Sequence, residues 1–383
     1  MKYVHSNWFA VARTRVAPLA LVASLAMPLG ACTDNEVREL GAQLPEDSVA
    51  TAEAQAAAMD TTSLTAGEAI ALTLAANDSA AIAAQTPGDS TAPAAPRPRY
   101  NAGEDPDFAA RMGWPVKGPA TLAGSILPNN RIVCYYGNPN SKRMGVLGEY
   151  PKDEMLGRLR RQIQVWEETE PQVPVTPCLH LVAVVAQGDA GTSGHYRAIM
   201  RDSMVNVVYD WAKEVDGIFI VDIQVGTDDI RNILPRFEWI LKNPDVHLAI
   251  DPEFYMKDGS VPGRKIGWMD AADINYASEY LTNLVREHNL PPKVLVIHRF
   301  TQRMVQNYQN IRLRPEVQIV IDMDGWGAPW LKRDSYRDYI VKEPIQYTGF
   351  KIFYGNDTKS GSPLMQPADV LKLRPTPVYI QYQ

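Results

Sequence analysis

The stretch VHLAIDPEF, residues 246–254, is an almost continuous apolar run that breaks into Asp251, Pro252 and Glu253. A short run of this Val/Ile texture reads as a strand buried on both faces, as in a parallel sheet. A charge left inside such a core costs far more than packing returns, so the two carboxylates belong where the strand leaves it. Seven more runs share the texture: RIVCYYG (131–137), LHLVAVVAQGD (179–189), GIFIVDIQVG (217–226), VLVIHRF (294–300), VQIVIDMDGWG (317–327), GFKIFYG (349–355) and PVYIQYQ (377–383). Amphipathic segments lie between them, among them 152–168, 201–215 and 270–288. Eight strands with intervening helices in about 250 residues predict an α/β fold, a (β/α)8 TIM-type barrel. The last run closes the sequence, so the last helix is expected to be missing or replaced by the pre-barrel segment, 100–130. A doubly wound open sheet is the alternative topology, but no Gly-rich phosphate loop follows the first strand to support a nucleotide site.

The chain carries a net charge of −6, concentrated in residues 33–98, where ten acidic residues face only Arg38 and Arg97. That stretch has no aromatic residue and cannot bury enough surface to offset its ordering entropy. Residues 32–98 are therefore expected to form a disordered tether ahead of a barrel domain at 99–383. No basic stripe argues for nucleic acid as a partner. At the N-terminus, Lys2, Arg13 and Arg15 precede VAPLALVASLAMPLG (16–30), a run too short to span a membrane and suited to a signal peptide covering 1–31. It leads into LGAC (29–32), which resembles the lipobox of bacterial lipoprotein precursors. The resemblance implies cleavage before Cys32, lipidation of Cys32 and stable anchoring through several acyl chains. Thr33 in place of Asp points to the outer membrane. Cys134 and Cys178 fall on neighbouring predicted strands. An exported compartment permits a disulfide, but pairing across adjacent parallel strands is demanding, so a bond and two buried thiols both stay open.

Side chains two apart on a strand share a face, and at the C-terminal rim of a barrel that face looks into the mouth. The second run ends in Gln187 and Asp189, the third in Asp222 and Gln224, the fourth in Asp251 and Glu253, the sixth in Asp322 and Asp324. The fifth adds His298 or Arg299, the seventh Lys351 and the first Tyr136. One such residue serves to cap the next helix, but a cap does not require four pairs at the same end. Paired carboxylates across a mouth suit glycoside hydrolysis, in which one carboxyl gives a proton to the leaving oxygen and the other, ionised, attacks or activates water. Asp251 beside Glu253 raises one pKa by like-charge repulsion. Glu253 is thus expected as general acid, Asp251 as its tuning partner, and Asp322 or Asp324 as nucleophile or base. Trp268, Trp326 and Trp330 occupy rim loops where an aromatic face stacks on a sugar or packs the loop down. Glu149 reads as a charge near a helix start.

The D-x-E spacing of Asp251 and Glu253 resembles barrel glycosidases of the lysozyme and chitinase type, although the longer D-D-x-D-x-E signature of chitinases is absent. The set GVLGEY (145–150), DPEF (251–254), VPGRKIG (261–267), VIHRF (296–300), DMDGWG (322–327) and IQYQ (380–383) resembles a family of exported bacterial lipoproteins of unassigned activity. That resemblance spans most of the chain after residue 100 and implies the fold, not a substrate. The expectation is an envelope-anchored protein that acts on a polysaccharide or glycan without a cofactor. Two alternatives stand beside it. Asp222, Asp251, Glu253, His298 and Asp322 could hold Mg, Mn or Ca for a metal-dependent hydrolase or isomerase, with His180 and His247 placed nearer the barrel bottom. The other alternative is a non-catalytic lipoprotein that binds a glycan or an envelope protein.

Overall fold

Each Val- and Ile-rich run forms a strand: β1 Arg131–Gly137, β2 Val175–Ala186, β3 Ile218–Ile223, β4 Val246–Ile250, β5 Lys293–Arg299, β6 Val317–Met323, β7 Tyr347–Ile352 and β8 Tyr379–Tyr382. In the computed structural model, which describes residues 99–383, the strands pair in parallel in chain order, and β1 pairs with both β2 and β8. The sheet is therefore a closed barrel of eight parallel strands. The expected signal peptide at 1–31, the expected lipidation site Cys32 and the expected tether lie outside the described residues. β2 starts four residues before the apolar run suggests, and an irregularity between Val182 and Val184 shifts its register against β3.

The helices are α1 Pro106–Met112, α2 Lys152–Thr169, α3 Asp202–Lys213, α4 Ala271–His288 and α5 Pro329–Ser335, with shorter turns elsewhere. α2 buries Met155, Leu156, Leu159, Ile163 and Trp166 along one stripe, the spacing of an amphipathic helix on a sheet. The Trp166 indole and the Gln162 amide donate to the Tyr382 hydroxyl at 3.0 and 2.9 Å, so α2 covers β8 as well as β1. No helix follows β8 among the described residues, and α2 shields the outer face such a helix would cover. α4 opens on a reciprocal capping box of Asp270 and Asp273 and stops at Asn289 in the left-handed conformation, the expected helix punctuation. Between β5 and β6 lie the 3-10 turns Gln302–Met304 and Tyr308–Asn310 and a two-residue strand, Val305–Gln306, that pairs in parallel with Met269–Asp270.

The segment ahead of β1 closes the lower end of the barrel. Leu127 is fully buried among the inward-facing Ile132, Ile218, Val294 and Val320. Gln318 on β6 accepts from the Ile126 and Leu127 amides at 3.0 and 3.1 Å and donates to the Leu127 carbonyl at 2.6 Å. One side chain thus satisfies three backbone groups that would otherwise be buried without partners. Farther upstream, the Trp114 indole donates to the Val341 carbonyl at 2.9 Å, and the Gly103 carbonyl accepts from Arg374 N at 2.7 Å. Val341 and Arg374 lie just ahead of β7 and β8, so these contacts are at the same lower end. Cys134 and Cys178, register partners on β1 and β2, are joined by a disulfide, which resolves the alternative left open by the sequence.

Candidate active site

Above Leu127 and its apolar neighbours, the inward faces of the strands turn polar. The upper layer holds Tyr136 from β1, His180 from β2, Asp222 from β3, His298 from β5, Lys351 from β7, and Tyr379 and Gln381 from β8, all buried. β6 contributes Asp322, buried, and Asp324 just past its end. Gly349 on β7 makes room for this layer: a Cβ there would lie 2.6 Å from Asp322 Oδ1 and 2.9 Å from the Tyr379 ring.

The charged groups form one chain across five strands. His180 Nε2 and His298 Nε2 both approach Asp222 Oδ2, at 3.1 and 3.3 Å. His298 Nδ1 lies 3.1 Å from Asp324 Oδ2 and 3.5 Å from Asp322 Oδ2. Lys351 Nζ then pairs with Asp324 Oδ1 at 2.9 Å and sits 3.8 Å from the centre of the Tyr136 ring. The far end is fixed by Gln381, whose amide nitrogen lies 3.0 Å from His180 Nδ1, and by the Tyr379 hydroxyl 2.8 Å from the same nitrogen. An amide donor on Nδ1 leaves the His180 proton on Nε2, the nitrogen nearer Asp222.

The electrostatics follow from burial and this order. Burial disfavours charge on His180 and lowers its pKa to about 4 despite Asp222. Burial opposes charge on His298 too, but Asp222, Asp322 and Asp324 around it outweigh that and raise its pKa well above the ordinary value. Asp222 is held ionised by the two imidazoles against its own burial. Burial raises Asp322, whereas Lys351 and His298 overcome burial and lower Asp324. Both oxygens of Asp222 and of Asp322, with His180 Nε2 and both nitrogens of His298, are off hydrogen-bond alignment although ion-pair partners are close. Misaligned polar atoms at this density mark a site built for something other than packing. His180, Asp222 and His298 each offer a donor atom within 4.8 Å of the others, a set that could hold a divalent cation.

Asp251 and Glu253 stand at the rim of β4. Asp251 is buried, caps the turn Pro252–Phe254 by accepting from Glu253 N at 3.0 Å, and receives the Gln224 amide at 3.3 Å. The capping role and the mouth role therefore coincide in one side chain. Burial, with Asp222 and Asp324 nearby, pushes Asp251 up to about 7. Glu253 is partly exposed and has no ion-pair partner among the described residues; burial of its carboxyl, then Asp251 and Asp324, push it well above the ordinary range.

The structure thus brings together Tyr136, Asp222, Gln224, Asp251, Glu253, His298, Asp322, Asp324 and Lys351. Other expected residues lie apart. Gln187 turns back onto the Val185 and Ala186 carbonyls, and Asp189 serves a turn by accepting from Gly191 N at 2.7 Å. Arg299, one position out of phase with His298, faces outward to Glu343 and the carbonyls of Thr301 and Gln302. Trp268 is half-buried in the loop after β4. Trp326 and Trp330 are 43 and 58 % exposed and line a shallow cavity of about 420 Å³ with Asn356, Ser360 and Ser362.

Strand-end reasoning passed over Tyr379 and Gln381 and placed His180 nearer the barrel bottom, whereas His180 sits in the upper layer against Asp222. His180 sits mid-strand, but barrel strands are staggered, so equal height does not mean equal distance from the strand end. His247 is at the lower level expected, neutralised by burial, with Nδ1 accepting from Val294 N at 3.0 Å. Compared with known proteins, the chain matches no family model and no curated protein.

Proposed function

We propose that the barrel hydrolyses a glycosidic bond, with Glu253 as general acid and Asp324 as nucleophile or base, acting from the cell envelope through a lipid on Cys32. The observation that carries the reading is the contrast between the two partly exposed carboxyls of the mouth. Asp324 is tied to Lys351 at 2.9 Å, whereas Glu253 has no ion-pair partner among the described residues, and burial, then Asp251 and Asp324, outweigh the pull of Lys351 and His298 on it. One carboxyl is thereby kept ionised and the other protonated, the division of labour glycoside hydrolysis needs. Asp251 keeps the acid protonated, and Asp322 lies too deep to reach a substrate. The exposed Trp326, on the loop that follows Asp324, and Trp330, in the first turn of α5, supply faces for a sugar ring.

The test is release of reducing ends from a panel of polysaccharides and peptidoglycan. Glu253→Gln and Asp324→Asn are each expected to lower the rate at least about a hundredfold while substrate is still retained. Retention on every polysaccharide without cleavage would instead favour a glycan-binding lipoprotein. The donor set His180, Asp222 and His298 favours metal-dependent hydrolysis as a second reading, and loss of activity on chelation, restored by added Zn²⁺ or Mn²⁺, would move the assignment there.

A further inference from the structure

Outside the strand tips of β1, β7 and β8 lies a cavity of about 640 Å³, larger than the space under the rim tryptophans. It begins where the mouth ends. Gln383, which lines it, is two residues beyond the mouth residue Gln381, and Phe353 is two beyond Lys351. Gly145, also in its wall, has φ 154° and abuts the Tyr136 carbonyl so closely that a Cβ would lie 2.4 Å from that oxygen.

The walls are cationic. Lys142, Arg143, Arg158 and Arg161 line the cavity, against Glu149 as its one acidic residue. Arg158 is already engaged: it donates to Glu154 at 2.9 and 3.1 Å and lies 3.8 Å over the Tyr150 ring. Lys142 and Arg161 are exposed and have no carboxylate partner among the described residues. The floor is aromatic and rigid. The Tyr135 and Tyr354 hydroxyls are 3.3 Å apart, Tyr354 donates to Gln162 at 3.0 Å, and its ring stacks on Tyr382 with centroids 5.2 Å apart. Cations on the wall and phenol rings on the floor suit a ligand with an anionic group on a ring, because the charge is paired while the ring face is covered.

We infer that this cavity is a subsite for an acidic sugar, so that the glycan engaged by the mouth carries carboxylate or phosphate groups. The inference rests on the glycan reading of the mouth and deepens it by naming the substrate class. A strand of such a polymer crosses the tips of β7 and β8 with one unit over Asp324 and Glu253 and a neighbouring unit between Lys142 and Arg161.

The experiment is equilibrium binding to the full chain of three oligosaccharides of equal length: neutral, glucuronate-bearing and phosphorylated. At low salt at least one acidic oligosaccharide is expected to bind about tenfold or more tighter than the neutral one, with the gap closing as salt rises. The anion that shows the gap identifies the group. Lys142→Glu with Arg161→Glu is expected to erase the preference, and the milder Lys142→Gln with Arg161→Gln to reduce it. Glu253→Gln is expected to keep it. Equal binding of acidic and neutral oligosaccharides, no binding of the acidic ones, or a preference that survives both double variants would each overturn the inference. The two readings fail separately: acidic preference without cleavage removes the hydrolase, and cleavage without acidic preference removes the subsite.

Discussion

Glu253 and Asp324 set opposite limbs of the expected pH profile. The acid works only while protonated, so activity falls as pH rises through a Glu253 pKa well above the ordinary value. The base works only while ionised, so activity falls as pH drops through an Asp324 pKa below 3.8. A plateau wider than an unperturbed carboxyl pair allows, narrowed on the acid side by Lys351→Met, is the outcome to look for in rate-against-pH curves. Asp251 carries a stability consequence with the opposite sense to a salt-bridged carboxylate. Its folded pKa is raised from 3.8 to about 7, so its support is complete below pH 4 and is lost as pH rises toward 7 and beyond. Asp251→Asn should therefore gain on the native protein across that window, by up to roughly 4 kcal/mol. Denaturant melts at pH 4 and pH 8 measure the difference, and parallel curves for the two proteins would refute it.

At the scale of elements, the lower plug is the feature most open to attack. Leu127→Ala removes a fully buried side chain and is expected to cost about 3 kcal/mol. Gln318→Leu keeps the volume but strips partners from two amides and a carbonyl, so it should cost at least as much. Urea midpoints compare the two directly. The strands were legible because Val and Ile runs buried on both faces leave little else to be, and α2 and α4 because their apolar residues recur at helical spacing. The plug was not, since Leu127 sits in a stretch without periodicity and its burial depends on Gln318, nearly two hundred residues away. Nor was the stretch between β5 and β6, where Asn275 and Asp270 of the α4 region hold the loop through Arg312 N, the Asn310 carbonyl and the Asn307 amide and no helix forms. The mouth could be read two by two from strand ends only where the strand ended at the rim. That rule found Asp222, Asp251 and Asp322, missed His180, and could not choose between His298 and Arg299 until the phase of β5 was known.

For the molecule as a whole, the Cys134–Cys178 bond ties the first two strands across 44 residues of sequence. Closing a loop of that length in the unfolded chain is worth roughly 4 kcal/mol in the entropy model, with measured effects often smaller. The double Cys134→Ser, Cys178→Ser variant is expected to lose about 2–4 kcal/mol yet keep the barrel, because the bond sits within an apolar interior that persists without it. Circular dichroism and a thermal melt, with the native protein under reducing conditions alongside, separate loss of stability from loss of fold. The path of residues 100–130 has a consequence of orientation. Gly103, Trp114 and Leu127 all make their contacts at the plugged end, so the described chain enters the barrel from beneath its closed base. The open end, with the charged chain of Asp222, His298 and Asp324, therefore faces away from the end at which the described chain enters.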